Sequence, residues 1–164
     1  TVKVTGEGMG DLEMSIPPLQ TQATIQIPAG KQRTITVFTS STNASYNGVN
    51  WGGHSTVDLN AGEEVDVIIN MLPMTKITAI ETLGSSELGV LWNPVSGVSV
   101  AKGYNLYKST LAEGPYTKIT ISGISSFKYQ DSSGTAGTTY YYKVSVFTDT
   151  AEGELSDYKS AKAL

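Results

Sequence analysis

Apolar and polar residues alternate with a period of two along much of the chain. That period sends successive side chains to opposite faces of an extended strand. The clearest case in the first half is "EEVDVIINML", where Val65, Val67, Ile69 and Met71 alternate with Glu64, Asp66, Ile68 and Asn70. "ATIQIPAG" repeats the pattern with Ile25 and Ile27 and stops at Pro28 and Gly30. "RTITVFTS" sets Ile35 and Val37 against Thr34, Thr36 and Phe38, and "STVDLNAG" carries Val57 and Leu59. "TVKVTG" and "DLEMSIPP" add Val2, Val4, Leu12, Met14 and Ile16. Turn signals separate these segments at intervals of about 8–12 residues, the spacing of a β-sandwich. No segment of ten or more residues has the 3.6-residue period of a helix. The fold class is all-β.

The pattern restarts around "MLPMTK", where Pro73 lacks the N–H that a ladder needs and breaks the preceding strand. The connection is short and has no Gly/Ser run, so it is a restricted hinge near residues 72–76. Two tandem β-sandwiches are expected, 1–73 and 74–164. The second reads as seven strands: "KITAIETL", "ELGVLWNP", "KGYNLYKS", "YTKITIS", "SFKYQD", "TTYYYKVSVFTD" and "SDYKSAKA". Alternation points inward Leu88, Val90 and Trp92; Tyr104 and Leu106; Phe127 and Tyr129; and Tyr140, Tyr142, Val144 and Val146. Tyr141 and Phe147 fall on the outer face, where cross-strand pairing is the simplest use for them.

Composition narrows the function. The 164 residues are 39% hydrophobic and 16% charged, enough for a core and unlike a disordered chain. The net charge is −4, and the 11 Lys and Arg residues form no basic stripe, so a nucleic-acid partner is not expected. There are no cysteines, which removes disulfides, thiolate metal sites and cysteine nucleophiles. No apolar run approaches the ~18 residues of a membrane span, and no segment has the make-up of a secretory leader.

The second half resembles a fibronectin type III domain over residues ~75–164. "VLWNP" resembles that family's second strand, with a tryptophan (Trp92) followed closely by Pro94. "GYNLYKS" resembles its third, with Tyr104 and Leu106 at core positions. "DSSGTAGTTYYYKVSVF" resembles the approach to its sixth strand, where a tyrosine caps the corner, and Tyr140 fits that place. "AEGELSDY" resembles the final hairpin. The resemblance implies that Trp92 packs between two sheets and does no chemistry. Residues 1–73 more loosely resemble a prealbumin-like or carboxypeptidase-regulatory-like sandwich of bacterial surface lipoproteins, through "IPAGKQRTITV", "YNG" and "LNAGEEVDVII". Structural roles are therefore expected for Trp92, Tyr104, Tyr140 and Tyr142.

Candidate chemistry is thin. "SYNGVNWGGHSTVDL", residues 45–59, holds the single histidine and one of two tryptophans. His54 reads either as a ligand or general base, or as a solvent-facing residue of a hairpin. Its nearest acid partner, Asp58, lies four residues away, about 13 Å along an extended strand, which favours the second reading. "NG" and "GG" are turn dipeptides that tolerate positive φ. Tyr46 and Trp51 either close the end of the first core or stack on a ligand. Tyr46, Trp51 and His54 are the candidate ligand contacts. "GMGDLE" and "NAGEEVD" lack the alternating oxygens of a calcium loop. Glu63, Glu64 and Asp66 read as a solvated surface. Phosphate loops and serine nucleophile elbows are absent. "NAS" at 43–45 fits a glycosylation sequon. No catalytic residue, metal or cofactor is expected. The reading is a non-enzymatic spacer, scaffold or adhesion module, secreted or on a bacterial surface, with a protein or carbohydrate partner. The alternative is an accessory carbohydrate-binding region of a larger extracellular enzyme.

Overall fold

A computed structural model of the chain describes residues 1–17, 23–39, 51–95, 101–120 and 124–164. It divides into two compact units, Thr1–Met71 and Leu72–Leu164. Among the described residues every regular element is a strand.

The first unit holds β1 (Val2–Thr5), β2 (Leu12–Met14), β3 (Gly30–Thr39) and β4 (Trp51–Leu59), hydrogen-bonded antiparallel in the order β2-β1-β3-β4. Val2 lies opposite Met14 and Val37, and Val4 opposite Leu12 and Ile35, so these six side chains share one face. Val4 is fully buried there. The same face continues through β3 to Arg33, which pairs with Val57. Arg33 is only 4% exposed. Its Nε donates to the Pro28 carbonyl at 3.0 Å, Nη1 to Glu7 at 2.7 Å and Nη2 to Ala29 at 2.7 Å. A buried guanidinium is tolerated when its donors are satisfied in this way. The strand is bulged between Gly30 and Arg33. Gln32 sits at φ 53° there, and its N–H donates to Asp58 Oδ1 at 2.8 Å.

Two segments read as strands join no ladder: residues 23–29 and 63–71 run as irregular chain. Their parity holds in part: Val65, expected on the inner face, is 39% exposed, because the chain has only just left the turn at 60–62. Ile25, Ile27, Val67, Ile69 and Met71 are half-buried, and Ile68 is 84% exposed. The reason is visible at Gly53, on the inner face of β4. The Asn70 carbonyl and the Ile69 γ-methyl lie where a Gly53 Cβ would stand. Residues 69 and 70 therefore pack against the apolar face of β4 at Gly53. Gly52 and Gly53 belong to β4, not to a turn.

The second unit contains β5 (Leu72–Pro73), β6 (Ile77–Thr82), β7 (Leu88–Trp92), β8 (Gly103–Ser109), β9 (Thr117–Lys118), β10 (Lys128–Asp131), β11 (Thr139–Phe147) and β12 (Lys159–Lys162). Pro73 lies within the two-residue β5. One sheet runs β10-β7-β6 and the other β12-β11-β8-β9, all pairs antiparallel. Their facing sides bury Leu88, Val90 and Trp92 of β7, Tyr104 and Leu106 of β8, and Tyr140, Tyr142, Val144 and Val146 of β11. Each such side chain removed from water contributes about 1.5–3 kcal/mol. Phe127 departs from the sequence reading. It is 54% exposed, because β10 begins only at Lys128 and the bend before it turns Phe127 outward.

Candidate functional site

Tyr46 and the sequon at 43–45 lie outside the described residues. Trp51 opens β4 opposite Thr39, and His54 lies opposite Thr36 in mid-strand, so the histidine is not at a hairpin tip. The interval of three residues puts the two side chains on opposite faces. Trp51 shares the apolar face with Gly53, Ser55 and Val57 and is half-buried, whereas His54 is exposed. The pair therefore does not converge on one site. Asp58 shares the histidine's face and receives the Gln32 N–H. Among the described residues no cluster of three or more His, Asp or Glu side chains is arranged to hold a metal ion.

The inner aromatics of the second unit each have a place. Trp92 packs on Tyr104 with ring centroids 5.5 Å apart. The Tyr104 hydroxyl accepts the Val95 N–H at 2.6 Å. The Tyr140 hydroxyl accepts the Thr135 N–H at 3.0 Å, tying the loop to the start of β11. Tyr142 donates to Asp131 Oδ2 at 2.6 Å. Asp131 is the centre of a buried network. Lys108 Nζ lies 2.8 Å from Oδ2, and Ser133 gives both its N–H and its hydroxyl to Oδ1. The two ionic side chains are 4% and 11% exposed, and Lys108 Nζ also stands 3.9 Å from the centroid of the Tyr140 ring. Burial alone pushes the Asp131 carboxyl up; Lys108, Ser133 and Tyr142 outweigh it and hold the group below the usual carboxylate range. Burial, then the bond to Asp131, pushes the Tyr142 phenol well above its ordinary value.

The outer face of the β12-β11-β8-β9 sheet was only partly legible in the sequence. Asn105 and Tyr107 of β8 stand opposite Ser145 and Lys143 of β11. Glu152 folds back onto them, and its Oε1 accepts from the Tyr107 hydroxyl at 2.6 Å and from Ser145. Burial tends to raise the Glu152 carboxyl, but hydrogen bonds from Ser145, Tyr107 and Asn105 and the charge of Lys118 bring it below its ordinary value. Tyr107 is pushed up by burial and then by Glu152. Beside this network lies an open cleft of about 530 Å³, lined by Ala112, Glu113, Tyr116, Lys143, Asp157 and Tyr158. Tyr158 meets Tyr141 edge-on, with centroids 5.2 Å apart and planes at 82°. Lys143 Nζ sits 5.0 Å from the Tyr116 ring centroid, and the Tyr116 hydroxyl donates to the Ala112 carbonyl at 2.7 Å. Burial, then Tyr158 and Glu113, raises the Tyr116 phenol. Tyr141 and Lys143 share an outward parity; Tyr116 and Tyr158, expected within strands, precede β9 and β12 and reach the cleft from loop positions.

Antiparallel sheets of three and four strands, a tryptophan between them and a tyrosine tied back to the preceding loop define an immunoglobulin-like β-sandwich. The chain contains a fibronectin type III-like domain. It is 31% identical to a Fn3-like protein from Clostridium thermocellum, covering 52% of this chain and 88% of that one, with a TM-score of 0.44. The fn3 domain of human contactin 1 is 17% identical, with 63% of this chain and 91% of that one covered and a TM-score of 0.49. The sequence is also similar to amylopullulanases. It is 35% identical over 86 residues to the enzyme of Thermoanaerobacter thermohydrosulfuricus, covering 52% of this chain and 6% of the enzyme. It is 28% identical over 111 residues to that of Thermoanaerobacterium saccharolyticum, covering 64% and 8%. The match thus takes up less than a tenth of either enzyme. No family model matches the chain.

Proposed function

We propose that this chain is a non-catalytic accessory region of a larger extracellular polysaccharide-degrading polypeptide, built as two tandem modules. The observation that carries the reading is the 35% identity with a 6% slice of an amylopullulanase. A slice of that size is module-sized and leaves the bulk of the enzyme for the chemistry. The use of the titratable groups supports the same reading. Asp131 and Lys108 neutralise each other inside the sandwich, and Glu152 serves Tyr107 and Ser145. Groups so used hold strands together instead of facing a substrate. A spacer at a bacterial surface would ask the same of the fold; the likeness to amylopullulanases favours the enzyme context.

The test is a module exchange. The matching slice of the Thermoanaerobacter thermohydrosulfuricus enzyme is deleted, or replaced by this chain. The expected result is that the chimera keeps the parent's hydrolysis of pullulan and its thermal stability, while the deletion loses part of one or both. Hydrolysis of starch or pullulan by the isolated chain would overturn the reading, as would a chimera no better than the deletion.

A further inference from the structure

We infer that the cleft between Tyr116 and Tyr158 is a binding subsite for a neutral glucan chain. The proposal rests on the accessory-module reading for its ligand class and on the geometry of the second unit for its location. Pyranose rings present apolar C–H faces and a rim of hydroxyls. A site that takes them combines aromatic surface with hydrogen-bonding groups on either side. The cleft has both. Tyr116 and Tyr158 supply rings, and Tyr158 is 44% exposed, so its surface is available to a ligand. Glu113 and Asp157 supply carboxylate acceptors and Lys143 an ammonium donor.

The rings are also held before any ligand arrives. Tyr141 fixes Tyr158 by perpendicular contact, the Ala112 carbonyl holds the Tyr116 hydroxyl, and Lys143 lies over one face of the Tyr116 ring, leaving Tyr158 as the main stacking surface. Held side chains lose less entropy on binding. A volume of about 530 Å³ falls in the range of small-ligand sites. The charge argues for a neutral ligand. Two carboxylates against one ammonium leave the lining net negative, which repels uronic acids, sulfated glycans and acidic peptides.

The experiment titrates the full chain with maltohexaose and with pullulan, by calorimetry and by backbone amide shifts. Polygalacturonate and an acidic peptide serve as comparison probes. Saturable binding of the neutral glucans is expected, with the largest shifts at Tyr116, Lys143 and Tyr158. Tyr158→Ala should weaken it by about tenfold, the usual effect of truncating an aromatic anchor. Asp157→Asn, which alters charge but not shape, should weaken it less and leave the unfolding transition in place. Phe127→Ser, in the exposed bend before β10, should bind as the parent chain does. No saturable binding up to millimolar glucan would overturn the proposal. So would binding indifferent to both cleft variants, shifts centred on Trp51, or preference for the acidic peptide. The outcome is separable from the module exchange: a functional chimera with no glucan binding rejects the subsite and keeps the accessory role.

Discussion

Replacing Asp131 by Asn tests the account of the second core. The substitution keeps the shape of the side chain and removes its charge. Lys108 then remains 11% exposed, with a neutral amide in place of the carboxylate beside Ser133 and the Tyr140 ring. Removing one member of a buried pair costs about 3–5 kcal/mol, because the other charge stays out of water. For a domain of this size each kcal/mol lowers Tm by about 4–8 °C, so the drop should be roughly 12–40 °C. The assay is urea unfolding in a Trp51→Phe background, where Trp92 is the remaining tryptophan and reports the second unit. The double variant Lys108→Met, Asp131→Asn should recover much of the loss, since no unpaired charge remains. The pH dependence follows from sign. The folded-state carboxyl lies below its ordinary value, so its contribution is present above the unfolded value. It fades as pH falls through the lower, folded one. Parent and Asp131→Asn should therefore differ by a constant amount at neutral pH and converge in strong acid. A cost under about 1 kcal/mol, the worth of an exposed pair, together with additive double-variant behaviour, would refute the argument.

Three further outcomes are expected. Arg33→Met leaves the carbonyls of Glu7, Pro28 and Ala29 without their donor and should cost about 3 kcal/mol in the first unit, read from Trp51 fluorescence. Gly53→Ala drives a methyl group into the Asn70 carbonyl and should cost about 1–3 kcal/mol, with amide shifts concentrated at residues 69–71. In alkali the unfolded phenol of Tyr107 ionises near its ordinary value while the folded one stays protonated. Stability should therefore decline as pH rises beyond about 10, and less steeply in Tyr107→Phe, as urea midpoints across the alkaline range will show.

Sequence periodicity records which side of an extended chain faces the core. It does not record what the backbone pairs with. In β8 and β11 the two coincide, because both strands are covered on one face and paired along both edges. Inward and outward residues there followed from alternation alone. In residues 63–71 they separate. Val67, Ile69 and Met71 turn toward the core, but residues 69 and 70 pack against β4 at Gly53 and the segment never enters a ladder. The same distinction explains Phe127, whose parity with Tyr129 fails because the strand starts one residue later. Asp131 ended a predicted strand with nothing in the local pattern to mark it as the centre of a network. Ser133 meets it locally, two residues on, but Lys108 and Tyr142 come from other strands and reach it only when the sheets close. The cleft was illegible for a related reason: Tyr116 and Tyr158 were read into strands that begin one residue later, at Thr117 and Lys159, so both lie on loops.

The distribution of aromatics bears on what the second unit is for. Trp92, Tyr104, Tyr140 and Tyr142 fill the space between the sheets, and each of the three phenols closes a bond to a loop or a neighbouring strand. Tyr107 holds Glu152 across the outer face. These five account for themselves by stability. Tyr158 does not. It is substantially exposed, its ring leans on Tyr141, and its neighbours Glu113 and Asp157 are exposed acids. A module that only spaced its neighbours would be served as well by threonine or lysine at that position, at less hydrophobic exposure to water. An oriented aromatic set among hydrogen-bonding groups is what recognition of a glucan requires. Tyr158→Ala therefore separates the two roles: it should lower the unfolding midpoint only by the loss of one edge contact with Tyr141 and weaken the proposed glucan binding about tenfold.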